Sequence, residues 1–311
     1  MANVPDAAMP TGHPAAMEEV YRRMLHAAGA EGRLAARPSG RLVNVVTAGD
    51  SSGPSVVHLH GTGTSSLSHL MLTGRTPGLR SYLVDRPGCG LSDPDSFRTG
   101  HFREYAVAFV GDVLDALGLE ATVLVGASGG GTWATWFALD HPERVRGLVM
   151  LGSVPTLPGG RAPLPLRLVV TPGVGDLVRM VRPGRRMLVR MMASMGEADT
   201  IVQHPDLLES LVIGARDPVA ARANQAEYRA LLSWRGFRAE VRLGRADLHR
   251  LGVPTLMIWG DRDPVVPLAQ ARVVASDIPD ARLETLPGGH VPQLGHPDRV
   301  AELLEEFAGS T

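Results

Sequence analysis

The sequence predicts an α/β protein with a mostly parallel central sheet flanked by helices, and three observations support this. Short apolar runs alternate with longer segments of helical periodicity. Apolar residues make up 44% of the 311 residues, which is enough for a sizeable buried core. The alternation stops after residue 154 and resumes at residue 253, which indicates an insertion after one strand of the sheet.

The individual elements follow from local residues. The two strands nearest the start meet at Ser39-Gly40, a pair typical of a tight hairpin turn. Gly29 and Gly118 each follow a helical segment, in the position of a C-terminal cap. The predicted strands cover residues 33–37, 41–47, 55–60, 80–84, 121–125, 145–151, 255–259 and 282–286. The predicted helices cover residues 18–28, 66–72, 102–119, 130–141, 268–278 and 297–307.

Changes in composition along the chain predict its organisation. Residues 1–16 are small, polar and proline-containing, which predicts a flexible tail. The predicted core comprises residues 17–154 and 253–311. Residues 155–252 hold helical segments rich in Leu, Arg and Met, without a strand pattern. We expect this insertion to form a helical cap, because insertions after strands of parallel sheets commonly shape ligand sites.

Composition excludes several classes of function. The 31 basic and 32 acidic residues give a net charge of −1, which argues against a nucleic-acid or anionic-membrane binder. The chain has no Lys and one Cys, so lysine Schiff-base chemistry and cysteine-based metal sites are excluded. The first residues lack a signal-peptide pattern, and no apolar run approaches about 18 residues, the length that spans a membrane. We therefore expect a cytoplasmic protein.

The strongest chemical signal is a G-x-S-x-G pattern formed by Gly126, Ser128 and Gly130. It lies where a predicted strand ends and a predicted helix begins. A nucleophile on such a sharp turn needs neighbours without side chains, because the turn brings backbone segments close together. The positive end of the following helix favours a developing anion. The pattern predicts Ser128 as a nucleophile, against the alternative of an ordinary glycine-rich loop.

A serine hydroxyl needs a base, and the chain offers eleven histidines. His290 follows a predicted strand, and Gly288 and Gly289 before it free the backbone to orient the ring. The candidates judged weaker lie before the core, inside the sheet or beside helices: His13, His26, His58, His141, His249 and His296. We therefore predict His290 as the base.

The base in turn needs a carboxylate that fixes its tautomer. Asp261 and Asp263 both follow the predicted strand at residues 255–259. The strand before the insertion ends in Leu151-Gly152-Ser153 and offers no carboxylate, which favours the Asp261 and Asp263 loop. The residues alone leave both aspartates open, and either could instead cap the following helix.

Taken in order, these motifs resemble those of the α/β-hydrolase family, in its serine-nucleophile form with a helical cap. The order Ser…Asp…His is that of the family, and the run from Gly288 to Pro292 matches its histidine loop. The resemblance implies an α/β-hydrolase fold from about residue 41 to residue 307. It also implies that Asp263, the last residue of a G-x-x-D pattern, is the acid.

Two further loops fit the resemblance. The run His60-Gly61-Thr62 is similar to the family's oxyanion loop, which implies that the backbone N–H groups of Thr62 and Gly129 hold the oxyanion. His60 itself is expected to brace this loop. The run from Asp85 to Asp93 resembles a structural turn beside the site, with Cys89 at a variable position.

Two groups of residues in the insertion have more than one interpretation. The methionines either pack the cap onto the core or line an adaptable pocket: Met180, Met187, Met191, Met192 and Met195. The arginines either form a solvated face or recognise an anionic substrate: Arg179, Arg182, Arg185, Arg186 and Arg190.

The sequence thus predicts a hydrolase that cleaves an ester, thioester or lactone of a small apolar or aromatic molecule through an acyl-enzyme. No metal and no organic cofactor is implied, and the expected partner is a small-molecule substrate rather than nucleic acid or a membrane. Three alternatives stay open on the same scaffold. They are acyl transfer or release from a carrier protein, C–C bond hydrolysis, and a non-catalytic receptor for a small molecule.

Overall fold

The computed structural model describes residues 13–311, and at residues 178–180 the backbone alone. Within this range the strands are β1 (Glu31–Ala36), β2 (Leu42–Gly49), β3 (Ser55–Leu59), β4 (Arg80–Val84), β5 (Thr122–Ala127), β6 (Val145–Leu151), β7 (Leu232–Ser233), β8 (Gly236–Phe237), β9 (Thr255–Gly260) and β10 (Ala281–Leu286). The α-helices are α1 (Ala15–Ala28), α2 (Leu70–Thr73), α3 (Phe102–Leu117), α4 (Gly129–Asp140), α5 (Leu164–Val170), α6 (Val174–Met180), α7 (Arg185–Ser194), α8 (Ala198–Ile201), α9 (Pro205–Arg216), α10 (Pro218–Leu231), α11 (Arg245–Arg250), α12 (Leu268–Asp277), α13 (Pro292–Gly295) and α14 (Pro297–Ser310).

One sheet organises the molecule, with its strands in the order β1-β2-β4-β3-β5-β6-β9-β10. β2 pairs antiparallel with β1 and β4, and all the other neighbours pair parallel. The predicted fold class is therefore confirmed. Every residue of β5 and β9 is buried, as expected where both faces of a parallel sheet are covered.

Alternation along β5 shows how the two faces are covered. Leu124 belongs to the apolar cluster that contains Trp136 of α4. Val123 and Val125, one residue to either side, belong to the cluster that contains Leu303 of α14. Successive side chains of a strand point to opposite faces. Helix α4, before the insertion, and helix α14, after it, therefore pack against opposite faces of the same strand.

The predicted elements agree with the observed ones within three residues at each end. The helix predicted at residues 66–72 consists of a 3-10 turn at Ser66–His69 followed by α2. In the described part of the chain, no helix has the combination of length and apolar character that crossing a bilayer demands.

The stretch between β6 and β9, residues 155–252, is mostly helical, as the composition predicts. We call it the insertion. The sequence did not predict the short hairpin of β7 and β8, in which Leu232 pairs with Phe237. Strands of two residues are too short for an alternating pattern to be visible. The division of the chain into a core and a cap stays a prediction.

The flexible tail predicted for residues 1–16 lies mostly outside the described residues. For residues 13–16 the structure differs, because α1 begins at Ala15 and the His13 side chain is buried. His13 Nδ1 lies 2.8 Å from Asp217 Oδ2, and its Nε2 lies 2.9 Å from the Ser92 carbonyl oxygen. Burial lowers the pKa of His13, but these partners outweigh burial and raise the pKa above 6.5. Both partners are distant in sequence, which explains why local composition misses the contact.

Strand order also explains where a site forms. β3, β5, β6, β9 and β10 are consecutive, parallel neighbours. Their carboxyl ends therefore meet at one edge of the sheet, the edge where ligands bind in open α/β sheets. The predicted nucleophile, acid, base and oxyanion loop each follow one of these strands.

Candidate active site

Ser128 occupies a strained turn between β5 and α4. Its φ of 49° and ψ of −116° make it the one non-glycine residue with positive φ among residues 13–311. A Cβ on Gly126 would lie 2.5 Å from the Gly131 Cα, and one on Gly130 would lie 2.2 Å from the Leu59 carbonyl oxygen. Both glycines are therefore required by close backbone approach, as the motif predicts. The turn leaves Ser128 partly exposed above the sheet.

The structure brings the three predicted side chains into one hydrogen-bonded chain. Ser128 Oγ lies 2.9 Å from His290 Nε2, and His290 Nδ1 lies 3.0 Å from Asp263 Oδ2. A carboxylate only accepts, so Nδ1 carries the proton and Nε2 accepts from the serine hydroxyl. Asp263 is 4% exposed and His290 9% exposed. This arrangement can move a proton from the serine to the histidine.

The two candidate aspartates have different partners. Asp263 accepts from the Val265 backbone N–H (2.8 Å) as well as from His290. Burial raises the pKa of Asp263, but the hydrogen bond and charge of His290, with further donors, lower it on balance below 3.8. Asp261 is exposed and accepts from the Gly288 backbone N–H (2.8 Å). Asp263 thus contacts the histidine ring, whereas Asp261 holds the loop that carries it.

Ser153, after β6, is a site residue that the sequence analysis missed. Its hydroxyl donates to Asp263 Oδ1 (2.9 Å) and lies 3.0 Å from His290 Nδ1. Its backbone N–H donates to Asp263 Oδ2 (3.1 Å). The available signal was a hydroxyl at the end of a strand adjacent to β9.

The predicted oxyanion donors lie beside the serine. A Cβ on Gly129 would be 3.3 Å from the Thr62 backbone nitrogen and 2.2 Å from Thr62 Oγ1, so the two residues are in contact. Gly129 is the first residue of α4, and the first N–H groups of a helix have no partner within it. The end of the helix also contributes partial positive charge.

His60 holds the loop that carries Thr62. Its Nδ1–H donates to the Gly61 carbonyl (2.8 Å), and its Nε2 accepts from the Arg86 backbone N–H (2.9 Å). Burial lowers the pKa of His60 well below 6.5, so the ring is neutral and can accept at Nε2. Thr64 closes the loop by donating from its hydroxyl to the Gly61 carbonyl (2.8 Å).

The loop after β4 is a structural turn organised by Asp85. Its buried carboxylate accepts from the backbone N–H of Ser66 (2.7 Å), from Asn44 Nδ2 (2.7 Å) and from the Tyr21 hydroxyl (2.7 Å). Burial nevertheless raises the pKa of Asp85. Cys89 in this loop is fully buried, and burial raises the pKa of its thiol to about 12, which makes it unreactive as a nucleophile.

The insertion contacts both loops that flank Ser128. The Met195 carbonyl accepts from the His290 backbone N–H (2.8 Å), and Glu197 accepts from the Val291 backbone N–H (2.9 Å). On the other side, Asn224 of α10 accepts from the Gly63 backbone N–H (3.1 Å). No motif marks these residues in the sequence.

The two residue groups singled out in the insertion are split by the structure. Met192 is buried and Met195 packs against the main apolar cluster, whereas Met187 and Met191 are exposed. The side chains of Met180 and Arg179 lie outside the described residues. The remaining arginines are exposed, in agreement with a solvated face: Arg182, Arg185, Arg186 and Arg190.

Nothing in the described residues resembles a metal centre, since no three His, Cys, Asp or Glu side chains converge there. His58 and His69 form a buried pair, with ring centroids 5.4 Å apart. Burial lowers the pKa of both rings, to about 4 for His69. They belong to the core rather than to the site.

Comparison with known proteins is consistent with this geometry. A family model described as the alpha/beta hydrolase family matches residues 56–303. The chain is 30% identical over 264 residues to a pimeloyl-[acyl-carrier protein] methyl ester esterase of Aeromonas hydrophila subsp. hydrophila, covering 83% of this chain and 96% of that protein. It is 28% identical over 294 residues to a 2-hydroxy-6-oxononadienedioate/2-hydroxy-6-oxononatrienedioate hydrolase of Burkholderia vietnamiensis, covering 86% and 94% respectively.

A solved structure supports the same fold. Carboxylesterase CesB from Bacillus subtilis superimposes with a TM-score of 0.75 at 22% identity, covering 95% of this chain and 98% of that one. At this level of identity the likeness concerns the fold.

Proposed function

This chain belongs to the alpha/beta hydrolase family, and from that premise we propose that it is a carboxylic ester hydrolase that works through an acyl-enzyme on Ser128. The observation that carries the proposal is the hydrogen-bonded chain from Ser128 through His290 to Asp263 on a strained turn. Similarity to a methyl ester esterase supports ester cleavage. The proposed substrates are esters, thioesters or lactones of small apolar or aromatic molecules.

In the acylation step, Ser128 Oγ attacks the carbonyl carbon and its proton passes to His290 Nε2. The N–H groups of Thr62 and Gly129 stabilise the oxyanion, because backbone donors are already oriented towards the charge that develops. The tetrahedral intermediate then collapses, the bond to the leaving oxygen breaks, and His290 gives its proton to that oxygen. Asp263 stabilises the imidazolium throughout.

In the deacylation step, a water molecule attacks the acyl carbon while His290 accepts its proton. The second tetrahedral intermediate expels Ser128 Oγ, which regains a proton from His290. The products are the carboxylic acid and the free enzyme. None of these steps requires a metal ion or an organic cofactor.

The insertion serves as a cap in this proposal. Its contacts with the His290 loop and with the loop of Thr62 support this role, since these two loops flank Ser128. A cap that excludes water from the cleft strengthens the electrostatic interactions made there.

The test is intact-mass analysis after treatment with a fluorophosphonate, followed by kinetics on a series of p-nitrophenyl esters. We expect one adduct on the wild-type protein and none on Ser128→Ala. In the ester assay, Ser128→Ala should lower kcat by at least about 10⁴-fold. The exposed Ser276 supplies the matched control, since Ser276→Ala should label and turn over like the wild type. Full ester turnover by Ser128→Ala, or a folded wild type without an adduct, contradicts the proposal.

C–C bond hydrolysis is the second candidate, favoured by the similarity to a hydrolase of 2-hydroxy-6-oxononadienedioate. The loss of the substrate's conjugated absorbance, with and without Ser128→Ala, measures this activity directly. If kcat/KM is larger on that substrate than on every ester tested, C–C bond hydrolysis rather than ester hydrolysis is the main reaction.

A further inference from the structure

Arg86 and Glu227 form a buried ion pair between the loop after β4 and helix α10 of the insertion. Arg86 Nη1 donates to Glu227 Oε1 over 2.6 Å, and the two side chains are 2% and 7% exposed. Taking two charges out of water is costly, and such a pair is weak evidence for stability by itself. Its position therefore matters more than its contribution to folding.

The pair lies beside the proposed oxyanion donors. A Cβ on Gly129 would be 3.3 Å from Glu227 Oε1 and 3.3 Å from the Thr62 backbone nitrogen. The Glu227 carboxylate thus fills part of the space that a side chain at position 129 would occupy. An uncompensated carboxylate there would repel the negative charge that develops on the substrate oxygen.

Several contacts hold the Arg86 guanidinium where it opposes that repulsion. Its carbon lies 4.9 Å from the centre of the Trp133 ring, an arrangement that favours a cation. Its Nη2 lies 3.5 Å from Thr62 Oγ1, and its backbone N–H is fixed by His60. The positive charge therefore reaches both Glu227 and the oxyanion loop.

We propose that Arg86 is a positioning residue for the reaction on Ser128: it neutralises the carboxylate that the insertion places beside the oxyanion donors and holds that carboxylate in position. The inference rests on the proposed function, because it concerns charge that develops during attack by Ser128. It makes the rate of the chemical step depend on a contact between the insertion and the loop after β4.

A charge series separates this role from a purely structural tie. Arg86→Met removes the charge but keeps much of the side-chain volume, and we expect kcat to fall about 100-fold with little change in KM. Adding Glu227→Gln removes the carboxylate as well, so the double variant should recover at least about tenfold in kcat over Arg86→Met. The exposed pair of Arg282 with Glu306 supplies the matched control, since Arg282→Met should leave kcat unchanged.

The third variant is Glu227→Gln alone. A structural tie predicts a different pattern, because Arg86→Met, Glu227→Gln and the double variant then all lose the same contact. Equal losses of kcat in all three overturn the proposal while wild-type turnover by Ser128 upholds the proposed function. Absence of Ser128-dependent turnover and labelling in the wild type instead overturns the proposed function, and this inference with it.

Arg86→Lys keeps the test decisive if Arg86→Met does not fold, as judged by thermal melting. Lys retains the charge without the forked geometry. A kcat of Arg86→Lys within about tenfold of the wild-type value supports charge compensation. A folded Arg86→Lys protein with a loss of 100-fold or more, about the loss expected for Arg86→Met, contradicts it.

Discussion

The carboxyl edge of the sheet and helix α10 contribute residues to the same site in different ways. Ser128, Asp263 and His290 each lie within four residues of a strand end, and strand order alone makes them neighbours. Asn224 and Glu227 arrive from a helix whose sequence carries no motif, and they contact loops more than 130 residues away. The difference shows that reactive groups follow local patterns, whereas the groups that hold their loops depend on tertiary packing.

The largest expected effect tests whether the sheet edge supplies the acid. Asp263→Asn should lower kcat by about 10⁴-fold, because an amide at this position favours the wrong histidine tautomer. Asp261→Asn is the matched control, since its side-chain oxygen can still accept from Gly288. Steady-state kinetics on an ester, with circular dichroism to verify folding, measures both. A comparable loss of kcat in Asp261→Asn would mean that the position of the loop carrying His290, rather than contact between Asp263 and His290, controls the base.

A smaller effect compares buried serines in the two regions. Ser153→Ala removes the hydroxyl that donates to Asp263, and a loss of about tenfold in kcat is expected from that hydrogen bond. Ser210, buried in α9 of the insertion, donates to the Leu207 carbonyl. Ser210→Ala should leave kcat close to that of the wild type. If both variants lose the same activity, Ser153 acts through general stability alone.

The smallest effect concerns the buried pair of His58 and His69 in the core. His58 and His69 have lowered pKa values, so both rings bind protons more readily in the unfolded chain than in the folded core. Their contribution to stability is full above about pH 6.5 and is lost as the pH falls below it, down to the folded pKa. His69→Leu should reduce the loss of unfolding free energy between pH 7.5 and pH 5.5 by about 1 kcal/mol. Urea unfolding at the two pH values measures this difference.

His26 provides the control for that experiment, because its side chain is exposed. His26→Gln should change the free energy of unfolding less than His69→Leu at both pH values. Hydrogen exchange adds regional detail, with acid lowering protection in β3 more than in α9. Identical pH slopes for His69→Leu and the wild type would show that the pair carries no linked protons.

Much of the fold and part of the site could be predicted from the sequence, for physical reasons. Buried parallel strands appear as short apolar runs, so β4 and β6 were predicted at their observed bounds. The turn at Ser128 requires glycines at fixed offsets, which makes a nucleophile recognisable without its partners. The choice of Asp263 over Asp261 as the acid depended on the resemblance to a family, because the two residues differ only in their three-dimensional contacts.

The remaining features depend on contacts that no local pattern encodes. Ser153 has no special neighbours in sequence, and its role appears only when β6 lies beside β9. The ion pair joins Arg86 to a residue 141 positions away. His13 meets Asp217 across 204 positions. A prediction based on periodicity and spacing has no access to such pairs.

The missing side chain at Gly129 has a consequence for how this protein can change by mutation. A Cβ there would meet Thr62 Oγ1 at 2.2 Å and Glu227 Oε1 at 3.3 Å. A larger residue at position 129 therefore requires Thr62 to turn away or to be replaced, and Glu227 to give way. Substitutions at these three positions are epistatic, so their order decides which mutational paths keep a working enzyme. Substitutions at Glu227 in the insertion therefore limit which residues position 129 can accept.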